Sequence, residues 1–252
     1  PSPRPLWSRR MIPLRDNIRS RSFPYVNVAI IVACVIVFFL ELSVGLRTAV
    51  EQWAFRPGDL LPGGPSGLTH AFTALTLSMF MHGGLVHILG NMLFLWVFGD
   101  NVEDRMGHLK YLVFYVICGV AATIAHSAFA LVTGASGVPM VGASGAIAGV
   151  LGAYFVLFRH SRVRTLVFLF FLVTVVDIPS PMFLVYWLVI QLFSIGMRTG
   201  VAYLAHIGGF GAGYLLVRWF ADTRRRPPPD QRESPRPPPP PRPPRITRLR
   251  IE

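Results

Sequence analysis

Residues 26–44 read VNVAIIVACVIVFFLELSV, an almost uninterrupted apolar run. A helix needs roughly 17–25 such residues to cross a bilayer, and further apolar runs follow along the chain. The whole sequence is 52% hydrophobic and only 14% charged, whereas soluble domains usually carry about 25% charged residues. We therefore predict a multi-span integral membrane protein. Residues 26–44 should be an uncleaved first helix, because no small-residue cleavage site accompanies them.

The charged residues are concentrated near the two ends and in a few turns. The formal net charge is +12, and arginines crowd residues 4–21 and the segment that starts at residue 224. Such flanks are typical of cytoplasmic segments that face anionic lipid, so nucleic-acid binding is disfavoured. Residues 1–22 are predicted to be a basic cytoplasmic segment. Residues 222–252 are predicted to be a disordered, Pro/Arg-rich cytoplasmic tail, with a lipid- or partner-binding role as the less favoured alternative.

Six transmembrane helices are predicted within a membrane domain of residues 23–221. They cover about residues 26–44, 84–98, 110–133, 142–158, 182–196 and 201–220. Basic turns at the N-terminus, at 159–164 and at 218–226 should face the cytoplasm. The chain must then cross only once between the turn at 159–164 and the last span, so residues 163–176 are predicted to be a partly embedded connection. The expected fold class is an all-α bundle with both termini in the cytoplasm.

Polar side chains inside predicted spans are costly and are therefore candidates for function. The candidates are His82, His87, Asn91, Ser144 and His206. Under the topology above, all five lie on the outer side of the membrane. This convergence was not used to derive the topology, so it supports a shared site.

Ser144 lies in Gly142-Ala-Ser-Gly-Ala-Ile-Ala-Gly149, at the predicted start of the fourth span. The first turn of a helix has free N–H groups and a positive dipole end, which stabilise a developing oxyanion. The alternative is that Ser144 only caps the helix while Gly145 and Gly149 form a packing face. Ser136 occurs in an identical Gly-Ala-Ser-Gly tetrapeptide, but Val-Pro follows it, so we interpret it as a loop residue.

His206 lies in Ala205-His-Ile-Gly-Gly-Phe-Gly-Ala-Gly213 in the last span. A histidine accepts the proton of an attacking serine and returns it to the leaving amine. Ala205, Gly209 and Gly213 recur at i+4 spacing and permit close approach of a second helix, which brings His206 near a facing serine. A packing or proton-relay role for His206 is the alternative.

His87 and Asn91 are four residues apart, so they share one face of a helix. Both side chains donate hydrogen bonds and are candidates to bind an oxyanion; the alternative is that they join neighbouring helices. His82 lies near the mouth of the same span and is harder to place.

Other hydrolytic chemistries lack their required residues in this sequence. There is no His-Glu-x-x-His motif for a zinc protease, and Ser144 is not in Gly-x-Ser-x-Gly because Ala146 occupies the last position. Only one aspartate, Asp177, lies amid apolar sequence, which disfavours a paired-aspartate protease. Cys34 and Cys118 each lie inside an apolar run, so neither a disulfide nor a metal site is indicated.

The sequence resembles the rhomboid family of intramembrane serine proteases over about residues 25–220. The resemblance is carried by His82-Gly-Gly-Leu-Val-His87-Ile-Leu-Gly-Asn91, Gly142-Ala-Ser144-Gly and Ala205-His206-Ile-Gly-Gly209. The charged turn Glu103-Asp-Arg-Met-Gly107 is similar to the turn after the second helix of that family. Three ordered motifs on three predicted helices make the resemblance specific.

The resemblance implies a six-helix bundle with a Ser144–His206 dyad and no third residue that orients the histidine. It implies an oxyanion hole of Asn91, His87 and the Ser144 N–H, with Gly142 shaping it and Gly145 and Gly209 in support. It also implies single-span membrane-protein substrates cut near the outer end of their helix, no cofactor or metal, and a location in the bacterial inner membrane.

Two departures from the family pattern are visible. The aromatic residue often found four positions after the serine is Ala148 here, and the Trp-Arg pair common before the second span is absent around Leu68-Thr-His-Ala-Phe-Thr. Two other functions stay open: a catalytically silent relative that binds transmembrane clients, and a transporter that uses His82, His87 and His206. Only the protease hypothesis predicts that Ser144→Ala abolishes function.

Overall fold

The computed structural model describes residues 11–61, 67–169, 172–197 and 201–222. The protein is mostly helical, with one small sheet. The helices are α1 (Tyr25–Val44), α2 (Leu46–Trp53), α3 (Gly67–Ser78), α4 (Leu85–Phe94), α5 (Asp100–Met106), α6 (His108–Val132), α7 (Ser144–Leu157), α8 (Ser180–Phe193) and α9 (Tyr203–Phe220). The strands are β1 (Met11–Asp16), β2 (Arg162–Leu169) and β3 (Leu172–Pro179). The predicted disorder of the C-terminal tail concerns residues that lie, apart from Asp222, outside the described ranges.

Within the described residues, three helices are long and apolar enough to cross a membrane. They are Tyr25–Val44, Leu85–Met106 and His108–Val132. The second is a continuous helix in which the π-helical turn Leu95–Gly99 joins α4 to α5. Two further apolar helices, Ser144–Leu157 and Ser180–Phe193, are shorter. The three candidates match the first three predicted spans, whereas the count of six and the orientation of the termini stay predictions.

The expected all-α class is wrong in one respect: within the predicted connection, Arg162–Leu169 and Leu172–Pro179 pair as an antiparallel hairpin. The hairpin pairs Arg162 with Pro179 and Leu169 with Leu172, and β1 adds as a third strand in the order β1-β2-β3. The segment is rich in β-branched Val and Thr, which favour strands. Along β2, Val163 and Thr165 are buried while Arg162 and Arg164 are exposed, the alternation of a strand with one covered face.

The charged segment 103–107, predicted above to be a turn, is helical as far as Met106. Helix α5 continues to Met106 and ends at Gly107, whose φ of +81° favours glycine. Within it, the buried Glu103 carboxylate accepts the N–H groups of Val26 and Asn27 at 3.0 and 2.7 Å. These N–H groups open α1, where a negative charge is favourable. Glu103 therefore fixes the start of the first helix against the end of the second.

Helix α7 lies at the centre of the bundle. Its residues 145–154 are all buried, and its small side chains allow α6 and α9 to approach closely. A Cβ atom added at Gly149 would lie 2.3 Å from Cys118 Cβ on α6, and one added at Gly213 would lie 1.9 Å from the Gly149 carbonyl oxygen. The backbones of α7 and α9 are thus in direct contact, and this contact positions the residues at the N-terminal end of both helices.

The sheet is tied to α7 through Asp16, the last residue of β1. Its Oδ2 accepts a hydrogen bond from Asn101 Nδ2 at 2.9 Å and another from the Tyr154 hydroxyl on α7, and its Oδ1 accepts the Ile18 N–H at 3.2 Å. Burial raises the pKa of Asp16 to about 7; the neighbouring Asp100 carboxylate adds to the rise and the Tyr154 hydroxyl opposes it.

We expect Asp16 to make stability pH-dependent. A carboxyl group with a raised pKa binds its proton more tightly in the folded state, so its contribution is complete below about pH 4 and is lost as pH rises through about 7. Asp16→Asn should remove this part of the slope, worth at most about 4 kcal/mol. Thermal unfolding in detergent between about pH 5 and 8 measures it. The exposed Glu51→Gln is the control, and an unchanged slope in Asp16→Asn would contradict the assignment.

Candidate active site

Ser144 and His206 meet at the outer end of the α7–α9 contact, as that end is defined by the predicted topology. Ser144 is the first residue of α7 and His206 lies in the first turn of α9. The Ser144 Oγ is 2.8 Å from His206 Nε2, within hydrogen-bond distance. His206 is buried and Ser144 is half-buried. A hydroxyl in this position has a proton acceptor at hand and the free N–H groups of a helix start beside it.

The close approach depends on Gly145, which directly follows Ser144, and on Gly209, about one helical turn after His206. A Cβ atom at Gly209 would lie 2.0 Å from the Gly145 carbonyl oxygen, and one at Gly145 would lie 2.7 Å from Ala122 Cβ on α6. Any larger side chain at these positions must push the helices apart. The two glycines therefore set the spacing across which the serine and the histidine meet.

A third residue, Gln191 on α8, contacts the other nitrogen of His206. Gln191 Oε1 is 2.7 Å from His206 Nδ1, and the Gln191 side chain is fully buried. The family resemblance implies no such residue. The signal was available, because a glutamine inside the predicted fifth span meets the same criterion that selected the other candidates.

Two aromatic rings flank the imidazole of His206. Trp187 on α8 lies with its ring centroid 5.8 Å away at 32°, and Tyr203 on α9 lies edge-on at 6.3 Å. Ala148 lies four positions after Ser144, where members of the family that the sequence resembles often carry an aromatic residue, and it is buried in α7. Trp187, which lies on a different helix, therefore makes the aromatic contact with His206 that Ala148 cannot make.

His87 and Gly142 lie close together beside Ser144. A Cβ atom at Gly142 would lie 2.9 Å from the His87 ring atoms Cε1 and Nε2 and 3.5 Å from Ser144 Oγ, so any side chain there would collide with the site. Gly142 also has a φ of +131°, and its N–H donates to the Ser78 carbonyl at 2.8 Å. This position therefore requires glycine for two independent reasons.

Asn91 lies one helical turn beyond His87 on α4 and is 8% exposed. Its Nδ2 is buried and has no hydrogen-bond partner in the described part of the chain. A buried amide donor without a partner is costly in a resting structure. Such a donor is free to bind an oxygen that arrives or develops charge during a reaction.

His82 lies next to His87. Its ring is fully buried 5.3 Å from the His87 ring, its Nδ1 is 3.0 Å from the Phe80 carbonyl, and its main-chain N–H points to the Glu41 carboxylate. Glu41 on α1 is itself fully buried and was not singled out in the sequence. Together they hold the segment that enters α4.

A small cavity of about 30 Å³ opens beside Ser144. Its wall includes Ser78, Gly142, Ser144, Gly145 and Ala205. This volume is sufficient for one water molecule, and the Ser144 hydroxyl provides a polar partner. Within the described ranges, no group of three or more His, Cys, Asp or Glu side chains is arranged to hold a metal ion.

Ser136, the second serine in a Gly-Ala-Ser-Gly tetrapeptide, lies in the turn region between α6 and α7. Its carbonyl oxygen accepts the Gly58 N–H at 2.9 Å. The two identical tetrapeptides therefore occupy different environments: one opens a central helix beside a histidine, and the other packs against the connection after α2.

Comparisons with known proteins give one consistent family. A family model described as "Rhomboid domain" matches residues 66–222. The chain is 28% identical over 219 residues to RHOMBOID-like protein 1 of Arabidopsis thaliana, covering 77% of this chain and 52% of that protein. It is 27% identical over 211 residues to Rhomboid protease GlpG of Yersinia pestis, covering 83% and 66%. The chain thus spans about half to two thirds of the length of these relatives.

Proposed function

The chain belongs to the rhomboid family, and from this premise we propose that it is an intramembrane serine protease that hydrolyses peptide bonds in transmembrane segments of other membrane proteins. One observation carries the proposal: the 2.8 Å contact of Ser144 Oγ with His206 Nε2 at the start of a buried helix. Curated relatives from a bacterium and a plant share the family, and that of Yersinia pestis is named a protease.

In the proposed reaction, His206 Nε2 accepts the proton of Ser144 as its Oγ attacks the substrate carbonyl carbon. The negative charge that develops on the carbonyl oxygen is stabilised by the Ser144 N–H and by donors from Asn91 and His87. His206 then protonates the leaving amine, which breaks the peptide bond and leaves an acyl group on Ser144. A water molecule in the adjacent cavity attacks this ester, with His206 again as base. The ester bond then breaks, the carboxylic acid product leaves, and His206 returns the proton to Ser144 Oγ.

The proposed substrates are single-span membrane proteins that are cut near the outer end of their helix. A peptide bond in a regular helix is shielded by the surrounding side chains, so the segment must unwind before its carbonyl reaches Ser144. Small or helix-weakening residues near the cut lower the cost of unwinding. Three helices of membrane-spanning length support an integral membrane location. The bacterial inner membrane and cytoplasmic termini stay part of the proposal.

Reconstitution tests this function directly. The purified chain in liposomes, mixed with a single-span substrate tagged at both ends, should give two fragments whose new ends lie within or beside the transmembrane segment. Mass spectrometry of the fragments identifies the cut. Binding of the substrate without cleavage would support a catalytically silent relative, and ion flux without cleavage would support a transporter.

Asn91→Ala should lower kcat by about 10²- to 10³-fold while KM stays within about twofold. The expected reason is that Asn91 Nδ2, unpaired in the resting structure, binds the oxyanion and not the ground state. Because Asn91 Nδ2 makes no hydrogen bond in the resting structure, its removal should leave the melting temperature almost unchanged. Kinetics on the reconstituted substrate and thermal unfolding measure the two effects. A wild-type kcat in a folded Asn91→Ala variant would remove Asn91 from the oxyanion hole.

A further inference from the structure

The Gln191 side chain makes two hydrogen bonds that together fix its orientation. Its Nε2 donates to the Trp187 carbonyl oxygen at 3.2 Å, one turn back on α8, and its Oε1 lies 2.7 Å from His206 Nδ1. A carbonyl oxygen only accepts hydrogen bonds, so the amide nitrogen must face Trp187 and the amide oxygen must face His206. The reversed amide would place two acceptors against each other at the Trp187 carbonyl.

This orientation determines which nitrogen of His206 carries the proton. Because Gln191 Oε1 only accepts, His206 Nδ1 must donate and therefore carries the hydrogen of the neutral ring. Nε2 is then left with its lone pair directed at Ser144 Oγ, 2.8 Å away. A base needs this tautomer to take the serine proton, and the opposite tautomer has no lone pair at Nε2.

We propose that Gln191 is a positioning residue. It holds His206 in the Nδ1–H tautomer and directs Nε2 at Ser144, so the site is a Ser–His–Gln arrangement. The inference rests on the proposed protease function and deepens it. Gln191 does not touch the substrate or the reacting atoms; it acts only through His206.

An amide suits this position better than a carboxylate does. Gln191 and His206 are both buried, and an ionised carboxylate without strong compensation is costly in an apolar environment. In the described ranges, no carboxylate contacts His206. The amide oxygen supplies the acceptor that selects the tautomer without placing a charge in the bundle.

Two side chains on one face of α8 contact the imidazole of His206. Trp187 and Gln191 are four residues apart and so share a face of the helix; Trp187 packs against the ring while Gln191 contacts its edge. The contact with Trp187 limits tilting of the imidazole, and the contact with Gln191 limits its rotation within the ring plane. A base requires a ring that is fixed in this way.

Gln191→Met tests the proposal, since methionine has a similar length and no strong acceptor. With the reconstituted substrate we expect kcat to fall by about 10- to 100-fold while KM stays within about twofold. Gln191→Glu restores an acceptor and should recover most of the loss. This recovery in Gln191→Glu but not in Gln191→Met is a result that a packing role would not give, because both side chains fill the position with a similar length.

Leu184→Met is the matched control, because Leu184 is fully buried on the same helix and has no role in the site. It should keep the wild-type kcat. Equal activity of Gln191→Met and wild type overturns the inference, as does equal impairment of the Met and Glu variants. If Gln191→Met does not fold, the kcat of a folded Gln191→Glu variant decides alone, and a loss of about 10- to 100-fold with KM unchanged overturns the inference. Failure of the proposed function is distinct, because the wild type would then cut nothing.

Discussion

Ser144→Ala is expected to abolish proteolysis and to prevent labelling by a fluorophosphonate probe, with a loss of at least about 10⁴-fold in kcat. The reason is chemical: the variant has no nucleophile at the one hydroxyl that lies 2.8 Å from His206 Nε2. The fold should persist, because Ser144 is only half-buried and its removal leaves no large cavity. In-gel fluorescence of the labelled, detergent-purified protein measures the effect.

Ser136→Ala is a control supplied by the chain itself. Ser136 has the same flanking tetrapeptide as Ser144 but lies in the turn region after α6, so this variant should label like the wild type. His206→Ala should lose labelling, because the nucleophile then has no base. Labelling that survives in Ser144→Ala would place the nucleophile elsewhere. A wild type that neither labels nor cuts a substrate would favour client binding or transport.

Gly213→Ala is expected to destabilise the protein by about 3 kcal/mol, a large effect for one methyl group. The added Cβ would lie 1.9 Å from the Gly149 carbonyl oxygen and 2.6 Å from its carbonyl carbon, so it meets backbone rather than a side chain that is free to turn. Relief requires α9 to move away from α7. The movement would also lengthen the distance between His206 and Ser144, so activity should fall with stability.

Gly211→Ala is the matched control on the same helix. A Cβ atom at Gly211 meets no atom within 4 Å, so the substitution adds no clash. The better helix propensity of alanine should leave stability unchanged or raise it by up to about 1 kcal/mol. Thermal unfolding of both variants in detergent provides the comparison. A Gly213→Ala protein as stable as Gly211→Ala would show that α7 and α9 adjust their spacing freely.

The helices of the first three spans could be predicted from sequence because long apolar runs specify a membrane helix without reference to the rest of the chain. The hairpin could not. Residues 163–176 are apolar and short, and a run of this kind is ambiguous between strand and buried helix. The strand β1, residues 11–16, which pairs with this hairpin, lies far away in sequence. No local sequence pattern predicts such a pairing.

The residues of the candidate site were likewise only partly predictable from sequence. Ser144 and His206 were selected because each is a polar residue in an apolar span with glycines around it. Gln191 is also polar in a span, but it has no glycine neighbours and no motif. Its place beside His206 depends on how α8 packs against α9, which a single sequence does not specify. The same packing explains why Trp187, rather than a residue four positions after Ser144, flanks the histidine.

The pairing of β1 with β2 also has a consequence for how the protein is made. Met11 pairs with Val167, so the first strand is synthesised roughly 150 residues before its partner. At translation rates of about 5–20 residues per second, β1 waits on the order of 10 to 30 seconds on the ribosome-bound chain. The sheet therefore assembles only after α7 has been synthesised, because β2 follows α7 in the chain.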